Sequence, residues 1–112
     1  MDKFEVVLCI LNNGFSEVAM DAARAVGAKG GTIMHGRGTA SKDAEKLFNI
    51  TVQPEKEIVM ILVAEKIKDA VLKALYDAVG GGTAAQGIAF TLPVESVVGI
   101  GKSKKAETKD KA

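Results

Sequence analysis

Three features of the sequence predict an α/β sandwich of order β-α-β-β-α-β, two helices on one antiparallel sheet. The chain matches itself when shifted by 53 residues. That shift lays Val6-Val7-Leu8-Cys9-Ile10 over Val59-Met60-Ile61-Leu62-Val63, and Val18, Ala25, Val26 and Gly27 over Val71, Ala78, Val79 and Gly80. Each half then reads as an apolar strand, a segment of helical period and a glycine stop. Two copies are too few for a solenoid, which needs about three to bury its faces. Two βα units, each followed by one more strand, make the ferredoxin-like arrangement instead.

Each element has a local reason. Val6 to Leu11 forms the first strand. Ser16 is expected to cap the first helix, with Phe15 stapled onto Met20. Val18, Ala22, Ala25 and Val26 would be its buried face, and Gly27 its left-handed stop. Thr32-Ile33-Met34 supplies a second strand and Ile58 to Val63 a third. Ile67, Val71, Ala74, Leu75 and Ala78 mark one face of the second helix, closed by Gly80. Ile88 to Leu92 makes the last long strand. Pro93 cannot donate to a ladder and belongs at a bend or an edge. Val97-Val98-Gly99-Ile100 is read as a short final strand.

Composition narrows the function. The 112 residues fit one domain, 47% hydrophobic and 26% charged, as in an ordered globular protein. No run approaches the ~18 apolar residues of a membrane span. With no basic-then-apolar leader at Met1-Asp2-Lys3 and a lone cysteine, the expected location is cytoplasmic. One His and one Cys cannot build a His/Cys zinc site within one chain. Aromatic residues are 4% with no Trp, which leaves few platforms for stacking bases, and no nucleic-acid partner is expected. No nucleophile–base or carboxylate pair is assignable, so the reading is a binding module rather than an enzyme.

Charge is uneven. Lys102, Lys104, Lys105, Lys109 and Lys111 outweigh Glu107 and Asp110 and give residues 102–112 a charge of +3, against −2 for residues 1–101. The second block is the domain and the first a basic tail, read as a solvated terminus. Val6 to Leu11 and Ile58 to Val63 are apolar at odd and even positions alike, so both faces of the sheet want burial. Two helices cover only one. The other face would be an apolar patch larger than monomers tolerate, and self-association through it is expected.

Two segments carry chemistry. The run Gly80 to Gly87 lacks the Gly-Lys-Ser/Thr ending of a P-loop and leads into a strand, yet successive glycine-rich backbone N–H groups can hold phosphate oxygens. A plain loop after a helix stop is the competing account. Gly36-Arg37-Gly38-Thr39 sets a guanidinium, suited to phosphate or carboxylate, between two glycines. It opens the longest connection, in which Ser41 to Phe48 fits a short helix. Leu47, Phe48 and Ile50 fit either an exposed docking tip or packing onto the body. His35 reads as an ordinary hydrogen bonder, and Cys9 as a small buried hydrophobe of low reactivity.

With these residues in place, the sequence resembles the PII signal-transduction family, the trimeric nitrogen-regulatory proteins. The resemblance covers the chain to about Gly101. It rests on the duplicated units, on Gly27-Ala28-Lys29-Gly30-Gly31-Thr32, on Gly36-Arg37-Gly38-Thr39 and on Gly80 to Gly87 running into Ile88-Ala89-Phe90. It implies a homotrimer packed through its sheets, binding an adenine nucleotide (AMP, ADP or ATP) or a related small ligand between neighbours. No resident cofactor is required. It further implies an effector loop, residues 36–57, that regulates a transporter or enzyme, in nitrogen metabolism or elsewhere. Any membrane contact would be peripheral, through that target.

Carried over, the adenine contacts are Gly30, Gly31 and Thr32, and the loop base is Gly36, Arg37, Gly38 and Thr39. The phosphate-facing residues are Gly82, Thr83, Ala84, Ala85, Gln86 and Gly87. Ligand is expected to protect Thr39 to Pro54 from proteolysis. The chain departs from the family in having Ile88 where a phosphate-facing lysine is expected, Gly99 and Gly101 where two arginines are expected, and no tyrosine in the loop. The alternative is a trimeric ferredoxin-like metal-tolerance or structural assembly protein, in which His35→Ala would abolish uptake of a divalent ion.

Overall fold

The computed structural model describes residues 3–39 and 54–100. The short helix expected over Ser41 to Phe48, the alternatives for Leu47, Phe48 and Ile50, and the basic tail fall outside them. Strand β1 is Phe4–Asn12, helix α1 Ser16–Ala25, strand β2 Thr32–Arg37 and strand β3 Glu55–Ala64. A single 3-10 turn, Glu65–Ile67, leads into helix α2, Lys68–Val79, and strand β4, Ile88–Pro93, follows. The sheet runs β2-β3-β1-β4 with every neighbouring pair antiparallel. This is the predicted ferredoxin-like order. Among the described residues no helix is long and apolar enough to cross a membrane.

Both helices lie on one face. Val7, Cys9 and Leu11 of β1 and Val59, Ile61 and Val63 of β3 are buried against Ala19, Met20 and Ala23 of α1 and Val71, Leu75 and Val79 of α2. These positions show that the repeat register is one residue shorter than the sequence match implied. Val7 corresponds to Val59, Cys9 to Ile61, Ala19 to Val71 and Ala23 to Leu75. A one-residue slip in a strand moves every side chain to the other face. The expected α1 face is corrected by the same step: Val18 is 45% exposed, while Ala19 and Ala23 are fully buried.

The even positions of β1 and β3 form the opposite, uncovered face. Leu8 pairs with Met60 on one side and Phe90 on the other, Val6 with Leu62 and Leu92, and Ile10 with Ile58 and Ile88. Met34, Met60, Ile88, Phe90 and Leu92 are all exposed in the single chain. The face is continuous across all four strands.

Several boundaries differ from expectation for identifiable reasons. Ser16 does not cap α1. It is the first helical residue, Phe15 takes the cap position, and no side chain of the local sequence bonds there. Instead Glu57 reaches across from β3, and its Oε1 accepts the N–H of Gly14 at 3.0 Å and of Ser16 at 3.1 Å. The carboxylate thereby satisfies orphan donors and meets the positive end of the helix dipole. At the other end Gly27 N–H donates to Arg24 O and Ala28 N–H to Ala23 O, with Gly27 at φ +114°, a Schellman stop. Gly80 closes α2 differently. Its φ is −70°, and glycine is needed because a Cβ would sit 2.4 Å from Tyr76 O.

Gly36 and Arg37 belong to β2, paired with Lys56 and Glu55, so the long connection is narrower than residues 36–57. Pairing continues past the last apolar side chain because edge strands tolerate polar residues and glycine. Residues 97–100, read as a final strand, form none. Val98 is 94% exposed and has no strand to pair with. Pro93 ends β4 on the sheet edge, as expected.

Candidate functional site

The sheet order decides which predicted residues meet. Gly30, Gly31 and Thr32 enter β2 at one edge of the sheet, and the turn Gly80–Gly87 feeds β4 at the other. Gly36, Arg37, Gly38 and Thr39 lie at the same end of the sheet as that turn, but on the β2 edge. Within one chain the three groups do not converge. The first lines a recess of about 530 Å³ on the uncovered face, together with Val6, Met60, Leu62, Val94 and Val97.

The glycines of these segments divide by what a side chain would meet. A Cβ on Gly31 would lie 2.9 Å from Met60 O and 3.0 Å from Met20 Sδ, and one on Gly87 2.5 Å from Val79 O. A Cβ on Gly38 would lie 3.0 Å from Lys56 Cε. Packing explains these three. Gly30, Gly81 and Gly82 have open space around the missing side chain and no positive φ. Neither packing nor backbone conformation requires glycine at them.

The turn is internally organised. Thr83 N–H and Oγ1–H both donate to Gly80 O, Ala85 N–H to Thr83 Oγ1, Gln86 N–H to Thr83 O and Gly87 N–H to Val79 O. Ala85 is fully buried. Among the described residues, the N–H groups of Gly81, Gly82 and Ala84 make no hydrogen bond. Gln86 holds φ +49°, the left-handed region that a non-glycine residue occupies only at some cost. Ile88, standing where the resemblance places a lysine, is 62% exposed at the start of β4.

Two residues that the sequence reading missed fasten this turn to the sheet. Asn12 donates its backbone N–H to Ala85 O at 2.9 Å and its side-chain amide to Ala84 O at 3.0 Å. Lys56 Nζ donates to Asn12 Oδ1 at 2.8 Å. The signal was the pairing Asn12↔Lys56, which exists only once the strands are in register.

Titration is perturbed at two places. Burial pushes the Glu57 carboxyl up, but hydrogen bonds from Gly14 and Ser16 and the charge of His35 outweigh this and hold it below the usual carboxylate value. His35 Nδ1 lies 4.0 Å from Glu57 Oε2, with its ring largely exposed. Burial pushes the Cys9 thiol up to about 11. Among the described residues no three His, Cys, Asp or Glu side chains group to hold a metal.

No family model matches the chain, and no curated protein matches it in sequence. Its fold is shared with solved structures. The chain is similar to PII of Arabidopsis thaliana, solved bound to citrate, at 22% identity over 89% of this chain and 82% of that one, TM-score 0.64. It is similar also to a chain assigned as a PII-like signalling protein from Thermus thermophilus, at 20% identity over 84% of this chain and 90% of that one, TM-score 0.63. At these identities the likeness establishes the fold.

Proposed function

We propose that the protein is a divergent PII-like signal-transduction regulator, not an enzyme. In this reading it forms a homotrimer through the uncovered sheet face and binds an adenine nucleotide, AMP, ADP or ATP, or a related small anion between neighbours. The connection between β2 and β3 reads out the bound state and regulates a transporter or enzyme. The observation that carries the reading is the uncovered face itself. It is apolar across four strands, bears the Gly30–Thr32 recess on one edge, and has the glycine turn at the other. Packing that face against a second copy buries the patch and offers a way to bring the β2 edge of one chain toward the β4 edge of another. Arg37, at the foot of the connection, is the residue assigned to the ligand's charged part.

Calorimetry with AMP, ADP, ATP and citrate tests this, citrate because it is the ligand of the Arabidopsis structure. Saturable binding of at least one is expected. Arg37→Ala should weaken it by about 1.5–3 kcal/mol, the range for hydrogen bonds to charged groups. No binding by any of the four overturns the nucleotide reading.

A further inference from the structure

The turn that would face a phosphate carries no cation from Gly80 to Gly87, and Ile88 follows it. Arg37 stands on the β2 edge, so within one chain a multiply charged anion held by the turn's backbone N–H groups would lack a compensating charge beside it. Lys56 stands beside this turn. It lies on the uncovered face of β3, at the even position next to Ile58, and pairs with Gly36 on one side and Asn12 on the other. Its ammonium is one amide group away from the Ala84 carbonyl, through Asn12.

The position is built. Gly38 leaves the space that the Lys56 stem occupies, with a hypothetical Cβ 3.0 Å from Cε and 3.3 Å from Cγ. Gly36, opposite Lys56, likewise puts no side chain beside it. An ammonium has three N–H donors. Asn12 takes one, and among the described residues no carboxylate pairs with Lys56. Two donors are therefore available on the side of the sheet where the apolar face ends. The same residue touches the foot of the β2–β3 connection through Gly38 and the turn through Asn12.

We propose that Lys56 supplies a second positive charge to the anion site, on the side of the turn and in addition to Arg37, binding a phosphate or polyphosphate group jointly with the N–H groups of Gly81, Gly82 and Ala84. This deepens the nucleotide reading and rests on it only for the organic part of the ligand. Lys56 replaces in space, from β3, the cation that the turn lacks in sequence. Because Asn12 links the ammonium to the turn, a bound anion also draws on the residue that packs under Gly38.

Binding of inorganic triphosphate, ADP and adenosine to the full chain is the test, with Lys56→Met, which keeps the stem, and Lys56→Arg, which keeps the charge. Lys56→Met should weaken triphosphate and ADP at least tenfold and leave adenosine unchanged, while Lys56→Arg stays within about threefold of the wild type for all three. Equal triphosphate affinity in Lys56→Met and wild type overturns the proposal. So does equal loss of adenosine and ADP, which would mark a structural role. A wild-type chain that binds triphosphate but neither ADP nor adenosine, with binding lost in Lys56→Met, would sink the nucleotide reading and sustain Lys56. A wild-type chain indifferent to triphosphate removes the Lys56 site whatever nucleotides do.

Discussion

Replacing Glu57 should cost more stability than any other single carboxylate in the described chain, and the cost can be worked from its bonds. The residue is 8% exposed, and its Oε1 receives the N–H groups of Gly14 and Ser16. Glu57→Ala removes the acceptor and strands the buried Ser16 N–H, at about 1–3 kcal/mol, while the part-buried Gly14 N–H, which water can reach, adds about 0.5–1 kcal/mol. Loss of a negative charge at the α1 N-terminus adds about 0.3–1 kcal/mol. Water entering the truncated site offsets part, so about 2–4 kcal/mol is expected, a large share of the ~5–15 kcal/mol of a typical domain.

Glu57→Gln keeps an acceptor oxygen and should cost about 1 kcal/mol, the difference between charged and neutral hydrogen bonds. Urea denaturation followed by circular dichroism, at one fixed protomer concentration, measures both. The pH dependence has a definite sign. The folded carboxyl titrates below its unfolded value of 4.5. Its contribution is therefore complete above that value and disappears as pH falls through the lower, folded one. Glu57→Gln should flatten this acid limb. Equal cost for Ala and Gln, or an acid limb unchanged in Gln, would show that the bridge to α1 is not what Glu57 contributes.

Leu8→Asp places a charge between Met60 and Phe90 at the centre of the uncovered face, and light scattering should find monomers, against the trimer expected of the wild type; a wild type already monomeric at micromolar concentration defeats the assembly itself. Gly87→Ala brings a methyl within 2.5 Å of Val79 O and should lower stability by about 1–3 kcal/mol in thermal melts, with an unchanged midpoint showing that the turn yields freely. Cys9, buried and with its thiol pushed up to about 11, should resist a thiol-directed disulfide reagent at pH 8 and react fully in urea. Rapid labelling of the native protein would contradict its place in the core.

The strands were legible because their apolar runs are long and bounded by turn residues. The same runs hid their register. In Val6 to Ile10 every residue is apolar, so periodicity carries no information about which face turns inward, and a repeat aligned one residue off looked equally good. The face of helix α1 was hidden for a related reason: its inward positions include Ala19 and Ala23, which are identical in hydropathy to the outward Ala25. The cap of α1 was illegible in principle. Ser16 carries the local signature, but the bond comes from Glu57, 41 residues away in sequence. Asn12 and Lys56 escaped notice likewise, since only the β1–β3 ladder makes them neighbours. The glycine-rich segments were found, yet composition could not separate Gly31 and Gly87, which packing demands, from Gly30 and Gly82, which it does not.

The placement of β2 and β4 at opposite edges has a consequence for genetics. Three strand spacings, about 14 Å, separate those edges across the sheet. A ligand held at both the recess and the turn would then be shared by two polypeptides. A lesion in the turn of one copy and a lesion beside Gly30 in another would spoil different halves of different clefts. In a closed ring of three that mixes the two kinds of chain, one cleft joins the sound half of each and is whole. Two inactive alleles expressed together would therefore restore partial binding, whereas the same two lesions placed in one chain would not.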